Sequence, residues 1–116
     1  MHDAARRWGP WMALLVSAAA FGHARLVGTQ PAAGAQLTES PASLTLTFNE
    51  NVRLAVLKLV AAGRAVPLNV DRAAAPAQEI RIALPPLAAG TYSVEWSALT
   101  QSDGHVIKGA YSFVVR

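Results

Sequence analysis

The sequence predicts an all-β domain, a single antiparallel Greek-key sandwich or barrel of about seven strands, on three observations. Short runs alternate apolar and polar residues with period two, as in Ser43-Leu44-Thr45-Leu46-Thr47-Phe48 and Glu79-Ile80-Arg81-Ile82-Ala83-Leu84. Clusters of Pro, Gly, Asn and Ser separate those runs and supply the turns. Beyond residue 22 no stretch of useful length carries a helical period.

Each expected element follows from its own residues. Ala24 to Thr29 is a first strand, stopped by Gln30-Pro31 and the small-residue loop Ala32 to Gln36. Thr38-Glu39-Ser40-Pro41 is a turn. Leu44, Leu46 and Phe48 give the strand 43–48 an inward face, and Asn49-Glu50-Asn51 interrupts it. Leu54 to Val60 is the next strand, with Leu57 and Leu59 inward. Ala62-Gly63-Arg64 turns the chain into Ala65 to Val70, where Pro67 requires an edge position because it lacks a backbone donor. An alanine-rich loop, Asp71 to Ala77, leads to Glu79–Leu84 and then to the Pro85-Pro86 segment. Thr91 to Leu99 places Tyr92, Val94 and Trp96 on one face, and Val106 to Val115 is the last strand, with Gly109 a candidate bulge. Phe48, Tyr92, Trp96, Tyr111 and Phe113 fall at strand spacing and are expected in the core.

A chain of 116 residues, 53% hydrophobic and 15% charged, suits one ordered domain. It has no cysteine, which excludes disulfides and thiolate metal sites. The formal charge is +3, but the basic residues are scattered singly from Arg25 to Arg116, so no nucleic-acid-binding stripe exists. Residues 1–22 read as a secretory signal, leaving 23–116 as the mature domain. Arg6 and Arg7 make a positive n-region, and Trp11 to Phe21 is an apolar run of h-region length. That run is too short for a transmembrane helix of about 20 residues, so no membrane insertion is expected after the signal is removed. Small residues permit cleavage after Gly22 and equally after Ala20, and local rules leave both open. The Arg6-Arg7 pair also raises a twin-arginine export route, on a poorly matching flank.

The chemistry concentrates at Gln101-Ser102-Asp103-Gly104-His105. In an extended segment Asp103 and His105 point to the same face. Of the three histidines, His2 leaves with the signal, and His23 becomes the first residue if cleavage follows Gly22. A first-residue histidine offers its α-amine and Nδ1 to one metal in a six-membered chelate ring. The free amine has a pKa of roughly 7.7–8.0, so a metal can displace its proton near neutrality. With the His105 imidazole and the Asp103 carboxylate this makes three nitrogens and one oxygen, a tetragonal N/O set that suits Cu(II). Zinc accepts the same donors but prefers a tetrahedron. Ser97, Thr100 and Ser102 lie near His105 and read as ordinary strand-end hydroxyls, with no base oriented against a nucleophile.

His23-Ala24-Arg25-Leu26, Thr29-Gln30-Pro31-Ala32, Leu46-Thr47-Phe48-Asn49-Glu50, Leu87-Ala88-Ala89-Gly90-Thr91-Tyr92 and Asp103-Gly104-His105 together resemble the CopC family. These are periplasmic copper-binding proteins of bacterial copper resistance and copper uptake. The resemblance spans the chain beyond the signal and favours cleavage after Gly22. It implies a seven-stranded cupredoxin-like or immunoglobulin-like barrel holding one Cu(II) through His23, Asp103 and His105. Glu50 matches a position close to copper in some relatives; a solvated turn carboxylate is the alternative reading. Some relatives carry a methionine-rich Cu(I) site. Here Met1 and Met12 are the only methionines and both lie in the signal, so no such site is expected. Some relatives are fused to an inner-membrane copper transporter; for this chain that partner would be separate.

Two other classes fit part of the pattern. An N-terminal histidine with a second histidine is also the copper brace of lytic polysaccharide monooxygenases. Here Asp103 fills the fourth position and leaves less room for oxygen, and the chain is short for a flat polysaccharide-binding face, so no enzymatic activity is expected. A metal-free β-sandwich adaptor would make Asp103-Gly104 a plain turn and His23 an exposed end.

Overall fold

A computed structural model describes residues 23–116; the expected signal and its cleavage site lie outside the described residues. The seven strands are β1 (Leu26–Gln30), β2 (Gln36–Leu37), β3 (Ser43–Ala61), β4 (Arg64–Val66), β5 (Ala77–Ala83), β6 (Gly90–Thr100) and β7 (Val106–Val115). They form one curled sheet in the order β1-β3-β6-β7-β2, with β4 and β5 also paired to β3. The all-β expectation and the strand number hold.

The first difference from expectation is β3. The strands expected at 43–48 and 54–60 are one element of 19 residues, continuous through Asn49-Glu50-Asn51. Its first half pairs with β1 on one side and β5 on the other, up to Phe48 and Thr47. Its second half, from Val52, pairs with β6 and, near its end, with β4. The polar triplet does not end the strand, because its backbone stays extended while the register with β5 shifts between Thr47 and Val52. A bend results, and it folds the sheet over itself. A second irregularity, between Leu54 and Val56 in the pairing with β6, moves the inward face from even to odd positions. Leu44, Leu46, Phe48, Val52 and Leu54 are therefore buried together with Leu57 and Leu59.

The pairing is not antiparallel throughout. Gln36–Leu37, at the end of the expected loop Ala32 to Gln36 and just before the expected turn, runs parallel to the end of β7. Two residues are too few to show alternation, but their backbone groups are used. Val114 N–H donates to Ala35 C=O at 2.8 Å, and Arg116 N–H donates to Leu37 C=O at 2.8 Å. The strand expected over Ala65–Val70 shortens to Arg64–Val66, because Pro67 cannot donate to the ladder. It does lie at an edge. Ala62 (φ 51°) and Gly63 (φ 77°) form the two-residue connection between β3 and β4, both left-handed as a primed hairpin turn requires.

Two aromatic pairs organise the core. Phe48, from the first half of β3, meets Trp96 of β6 edge-on, with centroids 5.2 Å apart and planes at 76°. Tyr92 stacks on Phe113 at 5.6 Å, and its hydroxyl donates to Ala88 C=O at 2.6 Å. Such pairs add roughly 0.5–1.5 kcal/mol beyond the area they bury. Gly109 is not a bulge. It pairs in register with Trp96, and the indole lies directly over it. Tyr111 is only half-buried, while Phe48, Tyr92, Trp96 and Phe113 are buried as expected.

Candidate metal centre

The bend of β3 is where the N-terminal segment of the described chain meets the β6–β7 loop. Asn49 accepts from Arg25 N–H through Oδ1 at 2.8 Å and donates through Nδ2 to His23 C=O at 2.9 Å. Its own N–H donates to Arg25 C=O at 3.1 Å. Glu50 accepts from Ser102 Oγ at 3.0 Å. Asn51 donates through Nδ2 to Gln101 Oε1 at 3.1 Å, and Gln101 N–H donates to Asn51 C=O at 3.0 Å. Three consecutive side chains thus hold the N-terminal segment and the β6–β7 loop side by side.

The β6–β7 loop is a closed turn, not the extended segment expected from the Asp103-Gly104-His105 spacing. Gly104 has φ 69°, in the left-handed region, so the alternation argument does not apply. Gly104 N–H donates to Thr100 C=O at 2.9 Å, and Thr100 N–H donates to His105 C=O at 2.9 Å. The turn still brings Asp103 and His105 together, by a different route. Thr100 Oγ1 donates to Asp103 Oδ1, and His105 N–H is shared between Asp103 Oδ1 at 3.1 Å and Thr100 Oγ1 at 2.9 Å. The Thr100 hydroxyl first, and the His105 N–H second, hold the exposed Asp103 carboxyl below its ordinary range. Both bonds fall on Oδ1; among the described residues no donor engages Oδ2.

His23, Asp103, His105 and Glu50 line one cleft of about 270 Å³, with Ala24, Thr100, Ser102 and Ile107 completing its walls. His23, Asp103 and His105 are exposed, and Glu50 is half-buried. The four are neighbours and not yet a ligand cage: among the described residues no three His, Asp or Glu side chains are gathered closely enough to grip a metal ion. A larger depression, about 770 Å³, lies over the β3–β6–β7 face between Lys58, Glu95 and Lys108, away from this chemistry. No helix of the described residues is long and apolar enough to cross a membrane.

Sequence reasoning passed over Thr100 and Asn49. Thr100 was grouped with incidental hydroxyls, yet it is buried and orients Asp103. Its signal was Thr-x-x-Asp at the mouth of a hairpin, where a hydroxyl and a carboxylate compete for the same turn amides. Asn49 was read as part of an interruption, and its placement needs the tertiary contact with residues 23–25.

A family model described as the CopC domain matches residues 26–116. Protein YobA of Escherichia coli is 36% identical over 110 residues, covering 88% of this chain and 86% of its own. Copper resistance protein C of Pseudomonas syringae pv. tomato is 35% identical over 113 residues, covering 89% and 88%. Among solved structures, CopC from Methylosinus trichosporium superposes with a TM-score of 0.68 at 31% identity, covering 80% of this chain and 93% of that one. PcoC, a methionine-rich copper resistance protein from Escherichia coli, gives 0.66 at 32% identity, covering 82% and 100%. The match in sequence along the whole described domain, together with the match in fold, shows that the chain belongs to the CopC family.

Proposed function

We propose that this protein is a periplasmic carrier or buffer that holds one Cu(II) for copper resistance, homeostasis or transport. The ligands are the α-amine and imidazole of His23, the Asp103 carboxylate and the His105 imidazole. The observation that carries this reading is that His23, in the N-terminal segment, and Asp103 and His105, in the β6–β7 loop, line one small cleft, in a member of a copper-resistance family. The donor chemistry agrees: amine, imidazole and carboxylate form the N/O set that cupric ion prefers. Residues 23–116 contain no methionine and the chain no cysteine, so they offer no soft sulfur donor for Cu(I).

The α-amine exists only after residues 1–22 are removed, which ties binding to export and cleavage after Gly22. Ser102 links Glu50 to the loop, so Glu50 acts on the site's electrostatics whether or not it reaches the metal. Delivery would be to an inner-membrane copper transporter.

Native mass spectrometry of the exported protein tests the reading. The expected result is a chain starting at His23 with one copper, and loss of that copper in the His23→Ala variant. A chain starting at His23 that sheds all copper on dialysis would overturn it in favour of a metal-free adaptor. A chain starting at Phe21 would remove the amine chelate altogether.

A further inference from the structure

We infer that Asn49 is a positioning residue for His23, replacing with one side-chain amide the backbone pairing that β3 abandons at its bend. The inference rests on the copper reading above and adds a residue to it.

The backbone pairing of β1 with β3 ends at Leu26 opposite Phe48. Beyond it one backbone bond remains, from Asn49 N–H to Arg25 C=O, and residues 23–24 have no backbone partner on β3, which turns towards β6 at the next residues. In an extended arm, the N–H and C=O of residue 25 and the C=O of residue 23 lie along the same edge. Asn49 bonds all three. Its Oδ1 accepts from Arg25 N–H, its N–H donates to Arg25 C=O, and its Nδ2 donates to His23 C=O. Asn49 is itself anchored from the other side, where Gln78 Nε2 donates to its C=O at 3.3 Å. A carboxamide suits this role because it offers an acceptor and a donor side by side, as a peptide group does.

The consequence falls on the chelate. The imidazole of His23 and the amine set free by cleavage belong to the residue whose carbonyl Asn49 holds. With that carbonyl fixed, the amine and ring start from a restricted set of positions beside Asp103 and His105. Without it, ordering the arm has to be supplied by the metal. Partners that orient a ligand in this way typically contribute about 10- to 100-fold in metal affinity.

The test uses processed protein, residues 23–116, titrated with Cu(II) against a competing chelator. Asn49→Ala keeps the backbone bonds to Arg25 and Gln78, so the domain should melt within a few degrees of the parent. Copper affinity should fall by about tenfold or more, and the electron paramagnetic resonance signal should broaden or split into several species. His23→Ala removes the imidazole half of the chelate, and in that background Asn49→Ala should change affinity less than twofold. Such non-additivity is what action through His23 demands. If Asn49→Ala binds copper within twofold of the parent, the inference is wrong while the copper reading stands. An equal loss with and without His23→Ala would mean that Asn49 acts through the fold and not through His23. If the parent itself binds no copper, the copper reading fails first. Asn49→Ser, which lacks the Nδ2 donor, serves the same comparison if the alanine form is too unstable.

Discussion

Gly109→Ala is the sharpest test of how the core is built. A Cβ at position 109 would sit 2.9 Å from Trp96 Cζ2, 3.1 Å from Cε2 and 3.2 Å from Nε1. Carbon atoms pack at about 3.5–4.0 Å, so the clash needs a movement of roughly half an ångström or more. Neither side yields easily. Gly109 is registered in the β6–β7 ladder opposite Trp96, and the indole is wedged edge-on against Phe48. Overpacking of this kind costs about 1–3 kcal/mol, offset by about 0.4–1 kcal/mol from the reduced freedom of alanine in the unfolded chain. A net loss of about 1–2 kcal/mol lowers Tm by roughly 5–15 °C in a domain of this size. Thermal melts of metal-free protein, followed by circular dichroism, read this directly. Trp96→Phe should shrink the alanine penalty to about 0.5 kcal/mol or less, because the indole edge (Cζ2, Cε2 and Nε1) that meets the new methyl is gone. A Gly109→Ala protein that melts within 1 °C of the parent, or above it, would refute the packing argument.

Ala62 occupies a left-handed conformation that costs a Cβ-bearing residue about 1 kcal/mol, so Ala62→Asn should raise Tm by a few degrees in the same melts. Thr100→Val removes the first cause of the lowered Asp103 pKa. NMR titration of the carboxyl should show it moving up towards its ordinary value. In the parent that depressed pKa contributes stability which is present above the ordinary carboxylate pKa and fades as pH falls through the folded value. The variant should therefore lose the larger part of the acid-side dependence that this carboxyl carries in the parent, the His105 N–H sustaining the rest. Tyr111 is pushed up to about 12 by burial of its hydroxyl. Absorbance titration should find it ionising near that pH, and stability should fall as pH rises above 10, because the unfolded chain releases the proton first. Tyr111→Phe should flatten that alkaline loss.

The sequence foretold the strands wherever alternation was long enough to read. Ser43–Phe48, Thr91–Leu99 and Val106–Val115 all form, and Leu44, Leu46 and Phe48 are buried as their spacing implied. It did not foretell that β3 continues through Asn49-Glu50-Asn51, because a polar triplet looks the same whether it ends a strand or bends one. Which of these occurs depends on hydrogen bonds to residues 23–25 and 101–102, far away in sequence. The parallel pairing of Gln36–Leu37 was hidden for a similar reason: two residues carry no period, and their partner is the end of the chain. Of the candidate site, His23, Asp103, His105 and Glu50 were legible as residue types with metal-binding chemistry, and they share a cleft. Their mutual arrangement was not legible. A glycine with positive φ replaced the extended segment, and the buried Thr100 hydroxyl took the place of a direct strand geometry.

The continuity of β3 also governs how the domain comes apart. A sandwich whose layers use separate strands can open at the hinge between them, one layer fraying while the other persists. Here a single stretch of backbone is the central strand of both layers, flanked by β1 and β5 before the bend and by β4 and β6 after it. Neither layer can lose its middle strand without unseating the other, so the two melt as one cooperative unit. The metal cleft sits at the shared bend, and any ligand gripping it fastens both layers at once.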